Sequence, residues 1–227
     1  ALIFGGMLLV MGALGDRFGR KRALQLGLVL LGLASAAAAF YADSSNDVIM
    51  ARATMGFGAA LVMPATLSIA IVVFPREERD KAIGIWTMMA GIGAPIGLLV
   101  GGWAVENYDW QMVFLINIPI ILLALSLGLM FVPNSKDSKK TPLDPVGAVL
   151  SIAALGTILY AIIEAPSLGW TSSEMILISG LGIILTYMFV KWERKAEYPM
   201  LPIGFFKFNG FSLGLIAIML ASFVMFS

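Results

Sequence analysis

Fifteen residues of the 227-residue chain are Lys or Arg, and one of them, Arg52, lies inside an apolar run, VIMARATMGFGAALVMPA. A charge in such a run is costly, which makes the residue a functional-site candidate. The guanidinium does not titrate. Its available chemistry is to favour the ionised form of a nearby carboxylate or to attract an anionic group. On a helix starting near Val48, Arg52 lies about 6 Å in, at 1.5 Å per residue. Gly56, Ala59, Ala60 and Met63 fall on its face, a smooth stripe suited to a bundle interior, with Pro64 below it as an expected kink. The competing reading is an arginine snorkelling to the outer headgroups.

A second constellation is Gly12-Ala13-Leu14-Gly15-Asp16-Arg17-Phe18-Gly19-Arg20-Lys21-Arg22. Gly12 and Gly15 permit close approach at a helix end, and Gly19 permits a sharp turn. Asp16 is expected just before the next helix, where the dipole favours a carboxylate. A third is GIGAPIGLLVGGW, residues 91–103. Gly93, Gly97 and Gly101 repeat at i+4 with Gly102 beside them, a flat face on which another helix can pack or pivot. Pro95 removes a backbone donor within it and is expected to bend the helix. Covalent chemistry is not expected: the chain has no Cys and no His, and no phosphate-binding Gly-rich loop followed by Lys-Ser/Thr. No metal site, cofactor or nucleic-acid partner is expected, and the reading excludes an enzyme.

The elements that must carry these residues are marked by charge. Fourteen of the fifteen cations fall in four breaks: Arg17 to Arg22, Arg76 to Lys81, Lys136 to Lys140, and Lys191 to Lys207. The alternate breaks hold only acids: Asp43 and Asp47, Glu106 and Asp109, Glu164 and Glu174. Basic loops stay on the cytoplasmic side, so the chain reads as an all-α, polytopic membrane protein crossing the bilayer repeatedly. Composition agrees, at 59% hydrophobic and 13% charged residues, against about 25% charge in soluble domains. Eight spans are expected, at roughly 1–14, 23–42, 48–73, 82–104, 110–132, 145–163, 174–191 and 208–227. The first and last read as truncated. Each must be helical, because only a helix satisfies its own backbone in lipid. Short connections make neighbours antiparallel.

The motifs carry a resemblance. GALGDRFGRKR is similar to the G-x-L-x-D-R-x-G-R-K-R loop of the major facilitator superfamily. RATMGFGAA resembles that family's R-x-x-Q-G-x-G-A-A, with Met55 in place of Gln. GIGAPIGLLVGG resembles its antiporter motif G-x-x-x-G-P-x-x-G-G, with Leu98 at the motif's Pro position and Pro95 three residues earlier. Asp109 to Pro119, Leu143 to Gly147 and Trp192 to Arg194 resemble the fourteen-helix drug:proton antiporters of the QacA/EmrB type.

The resemblance implies a major facilitator bundle: 1–132 from the first six-helix half, linkers at 133–144 and 192–207, two inserted helices in 145–191, and the start of the second half at 208–227. It implies a latch loop formed by Gly12, Asp16, Arg17, Gly19 and Arg20, with Arg76 or Arg79 as partner of Asp16. It implies a substrate and proton pathway beside Arg52 and Gly56, and an antiporter-type helix carrying Gly93, Pro95, Gly97, Gly101 and Gly102. The implied task is proton-driven efflux of lipophilic or cationic small molecules across a bacterial or archaeal cytoplasmic membrane. The energy source is the proton gradient, and the partners are a small-molecule substrate, protons and the lipid bilayer. The titrating carboxylate is expected outside this stretch of chain. Rival readings are a metabolite importer or exchanger and a transport-incompetent sensor or scaffold.

Overall fold

The computed structural model describes residues 1–135 and 142–226, so Lys136, Lys139 and Lys140 lie outside the described residues. The described residues form helices joined by short turns: α1 (Leu2–Phe18), α2 (Arg20–Tyr41), α3 (Ser45–Val73), α4 (Arg79–Asn107), α5 (Met112–Leu115), α6 (Asn117–Phe131), α7 (Pro145–Leu168), α8 (Ser173–Glu193) and α9 (Asn209–Phe226). Among the described residues six stretches, α2, α3, α7 and α8 among them, are long and apolar enough to cross a membrane.

The helices overrun their expected ends. α1 continues past residue 14 to Phe18, α4 covers 79–107 instead of 82–104, and α7 reaches Leu168 instead of 163. Apolar content marks what lipid can hold, whereas the hydrogen-bonded ladder continues into charged turns that water solvates. The span expected at 110–132 is broken at Ile116 into α5 and α6. Pro64 and Pro95 both lie inside continuous helices. Local signals set several starts. Ser44 caps α3 in a reciprocal box with Asp47, and Asp144 caps α7 with Pro145 at its first position.

The chain divides into two compact units, Ala1–Thr141 and Pro142–Ser227. In the first, small residues set the packing. A Cβ built at Gly27 would lie 2.7 Å from the Gly58 carbonyl oxygen, and one at Gly58 would lie 2.7 Å from that of Gly27. The backbones of α2 and α3 are therefore in contact. Ala23, Leu24, Leu28, Leu61 and Ala65 close around this crossing, with Ile121 and Leu125 of α6 against it. Helix α1 lies parallel to α3: Gly56 meets Ile3 and Phe4, and Gly12 meets Pro64. Two parallel helices with the antiparallel α2 between them in chain order are what alternating spans require.

These contacts sort the charges by end within this unit. The parallel α1 and α3 bring Arg17 and Arg76 to one end. Ala39, near the close of α2, shares a cleft with Glu106 and Asp109 at the other. In the second unit α7 and α8 form an antiparallel hairpin. Ala161, Ala165 and Met175 cluster at its closed end, and Asp144 meets Trp192 at its open end. Much of the surface is apolar. Leu98 and Leu99 of α4 are 76% and 74% exposed, and none of that helix's most apolar window is buried. Such a continuous apolar face belongs in lipid or against another helix.

Candidate conformational and coupling site

The α1–α2 connection is a single residue. Gly19 adopts φ 117°, a conformation open to glycine, and α2 begins at Arg20. Asp16 is therefore in the last turn of α1 and not in a loop before α2. Its Oδ1 accepts a hydrogen bond from Arg20 Nε at 2.7 Å, forming an ion pair. This corrects the expected partner: among the described residues Asp16 pairs with Arg20, and Arg79 donates from Nε to the Phe74 carbonyl at 3.4 Å. The extra helical turn carries Asp16 to i−4 of Arg20, within reach of its own connection.

Neighbouring contacts fix this corner. Gly15 permits the hairpin to close, because a Cβ there would lie 3.2 Å from that of Ala23. The Arg20 backbone N–H donates to the Ser135 carbonyl at 3.0 Å, and Lys21 Nζ donates to the Leu129 carbonyl at 2.8 Å. Lys21 thus satisfies an orphan carbonyl of the last turn of α6 and complements its dipole. The Arg17 guanidinium lies 5.7 Å from the Phe18 ring centroid.

Arg52 stands on the first half of α3, exposed, and forms no ion pair with the described residues. Gly56, one turn on, is packed against Ile3 and Phe4, and Ala60 is fully buried. The stripe below Arg52 is thus partly a helix-packing face, shared with Gly12 of the latch loop through Pro64. Two constellations read separately in the sequence meet along one helix pair. On α4, nothing lies within 4 Å of a Cβ built at Gly93, Gly97, Gly101 or Gly102. That helix is tied to α3 by Trp86 Nε1, which donates to Thr66 Oγ1 at 3.1 Å.

The geometry is thus a one-residue pivot with an ion pair across it, a parallel pair of helices packed through glycines, and a bare glycine face on an adjacent helix. The family model for the Major Facilitator Superfamily matches residues 1–227. The chain belongs to the Major Facilitator Superfamily.

Curated relatives of this superfamily chain carry efflux or resistance names. It is 37% identical over 218 residues to the multidrug efflux pump LfrA of Mycolicibacterium smegmatis, covering 96% of the chain and 43% of LfrA. It is 38% identical over 208 residues to the methyl viologen resistance protein SmvA of Salmonella typhimurium, covering 91% and 42%. It is 37% identical over 205 residues to the puromycin resistance protein pur8 of Streptomyces alboniger, covering 89% and 40%. The superfamily chain spans about two fifths of the length of these relatives. As a superfamily member with six span-capable stretches among the described residues, it is a multi-pass membrane protein.

The sequence did not single out the Gly27–Gly58 contact or the Asp144–Trp192 hydrogen bond. Gly58 falls within the RATMGFGAA motif, but Gly27 carries no local mark among 24 glycines, so nothing paired the two. Asp144 before Pro145 was a legible helix start, but its partner 48 residues away was not.

Proposed function

We propose that the whole protein exports lipophilic or cationic small molecules by proton antiport, through alternating access. The observation that carries this is the alignment of about nine tenths of the chain with relatives named for resistance to unlike compounds, methyl viologen and puromycin. The reading is supported by the bare glycine face of α4, which would be a sliding surface in such a cycle, and by the fixed charge of Arg52 at the head of a glycine and alanine stripe. Full-length protein in proteoliposomes tests it. An acid-inside gradient is expected to drive accumulation of puromycin or methyl viologen, and a protonophore to abolish it. Gradient-independent exchange of a sugar or organic acid would favour the metabolite carrier. No flux of any kind would favour a sensor or scaffold.

In this reading the Asp16–Arg20 pair biases the balance between outward-open and inward-open states. Asp16 is 43% exposed at its side chain, so the pair contributes only about 0–1 kcal/mol. Asp16→Asn is expected to leave thermal stability within about 1 kcal/mol of the parent. The same energy shifts a two-state population by up to roughly fivefold. The chain lacks cysteine, so single cysteines introduced at outer positions such as Trp103 can report the shift by labelling rate. Unchanged labelling in Asp16→Asn would remove the latch role.

A further inference from the structure

At the open end of the α7–α8 hairpin, two carboxyl groups converge that neither the latch nor the Arg52 stripe uses. Asp144 has donors on both oxygens: Gly147 N–H on Oδ1 at 2.9 Å and Trp192 Nε1 on Oδ2 at 2.7 Å. Glu193, in the last turn of α8 past the span read at 174–191, is 3% exposed. Its Oε2 accepts the Leu201 backbone N–H at 2.9 Å, while its Oε1 is buried without a partner among the described residues. A Cβ built at Gly147 would lie 2.5 Å from Asp144 Oδ2 and 2.8 Å from Glu193 Oε1. Both carboxyl groups therefore rest over the bare Cα of Gly147.

Several charges surround them. Lys191, Arg194 and Lys195 flank Glu193 in sequence, and Arg194 and Lys207 line a cleft of about 580 Å³ with it. Glu197 and Tyr198 follow on the linker, and Asp144 is the titratable group at the start of α7. Among the described residues none forms an ion pair with Asp144 or Glu193. A buried carboxylate oxygen with no donor beside a second carboxyl is unfavourable on two counts, desolvation and like charge. A proton on Oε1 relieves both.

We propose that Asp144 and Glu193 form a proton-binding site, one proton residing on Glu193 and facing Asp144 across Gly147. The carbonyl side of protonated Glu193 then holds Leu201, clasping the linker after α8 against the hairpin. Loss of the proton places two negative charges over Gly147 and draws in water there, while the ionised carboxylate accepts the Leu201 N–H more strongly. The proton is therefore lost as pH rises through the titration of Glu193, and the bond that holds Leu201 tightens as it leaves. None of this depends on the export reading, because neither substrate nor gradient enters.

The test is made on full-length protein in lipid nanodiscs without substrate. Infrared difference spectra across a pH titration are expected to show a carboxyl that stays protonated above the range of an ordinary glutamate, with a pKa of about 4.3. The band should vanish in Glu193→Gln. Hydrogen exchange at Leu201, normalised to its intrinsic pH dependence, should slow on alkalinisation in the parent as the carboxylate forms. It should show no such response in Glu193→Gln, whose amide keeps an acceptor for Leu201 and a donor for Asp144. Asp144→Asn keeps a helix-capping oxygen but removes the second charge, and should move the titration to lower pH. The proposal is overturned if Glu193→Gln leaves the carboxyl bands unchanged, if Asp144→Asn leaves the titration in place, or if the bands follow sodium or potassium rather than pH.

Discussion

Replacing Arg52 by alanine is expected to abolish coupled transport while leaving membrane insertion and thermal stability near those of the parent. The two halves of that expectation have separate physical grounds. Stability should survive because Arg52 is exposed and forms no ion pair with the described residues, so its removal strands no buried partner. Transport should not survive if the guanidinium's work is electrostatic. A fixed positive charge beside a titrating carboxylate or an anionic substrate group sets how tightly each is held. Coupling energies between linked sites run at about 1–3 kcal/mol, so substrate-driven proton movement should fall about 5- to 150-fold. Arg52→Lys separates charge from shape: it keeps the charge and loses the planar fork. Partial rescue by Lys would assign the role to charge, and no rescue to bidentate contact. Parent-like proton flux in Arg52→Ala would instead make the residue a headgroup anchor, its side chain reaching the interface.

The Arg52 stripe also shows how far sequence reaches. The order and direction of the helices were legible because lipid imposes a coarse rule on long apolar stretches, and the positive-inside bias imposes another. The contacts of Gly12 with Pro64, and of Gly56 with Ile3 and Phe4, give the parallel α1 and α3 that those rules require. Helix ends were poorly legible, since a charged residue is as stable in a solvated helical turn as in a loop. That is why Asp16 was placed before α2 and found at the end of α1, and why its partner is Arg20 rather than Arg76 or Arg79. Pairings across long separations were not legible. Gly93, Gly97 and Gly101 have the most regular spacing and meet nothing within 4 Å among the described residues, whereas Gly27 and Gly58, neither of which has a glycine four residues away, form the closest crossing. Glu193 belongs with them. Its sequence neighbours Lys191, Arg194 and Lys195 suggest a solvated turn, but the chain returns over it and removes it from water.

That contrast between glycines carries the second large prediction. Gly27→Ala and Gly58→Ala should each destabilise the protein although only one carbon is added. At either site the new Cβ would lie 2.7 Å from a backbone carbonyl oxygen of the facing helix, a distance no side-chain rotation can relieve. The helices must separate, and separation opens the contacts of Leu24, Leu28, Leu61 and Ala65 around the crossing. Between membrane helices close packing is itself the driving force, with no hydrophobic effect to replace it. Overpacking of this kind costs typically about 1–3 kcal/mol, and valine should cost more than alanine at both sites. Gly97→Ala provides the matched control. It adds the same carbon to a membrane helix, but nothing stands within 4 Å of the new Cβ. Melting followed by size-exclusion fluorescence should therefore rank Gly97→Ala with the parent and both crossing variants well below it. If Gly97→Ala also blocks transport while keeping the parent's stability, its face is used in a state other than the one seen here, where a second helix closes on it. Parent-like melting of Gly58→Ala would mean that α2 and α3 do not cross at these two residues.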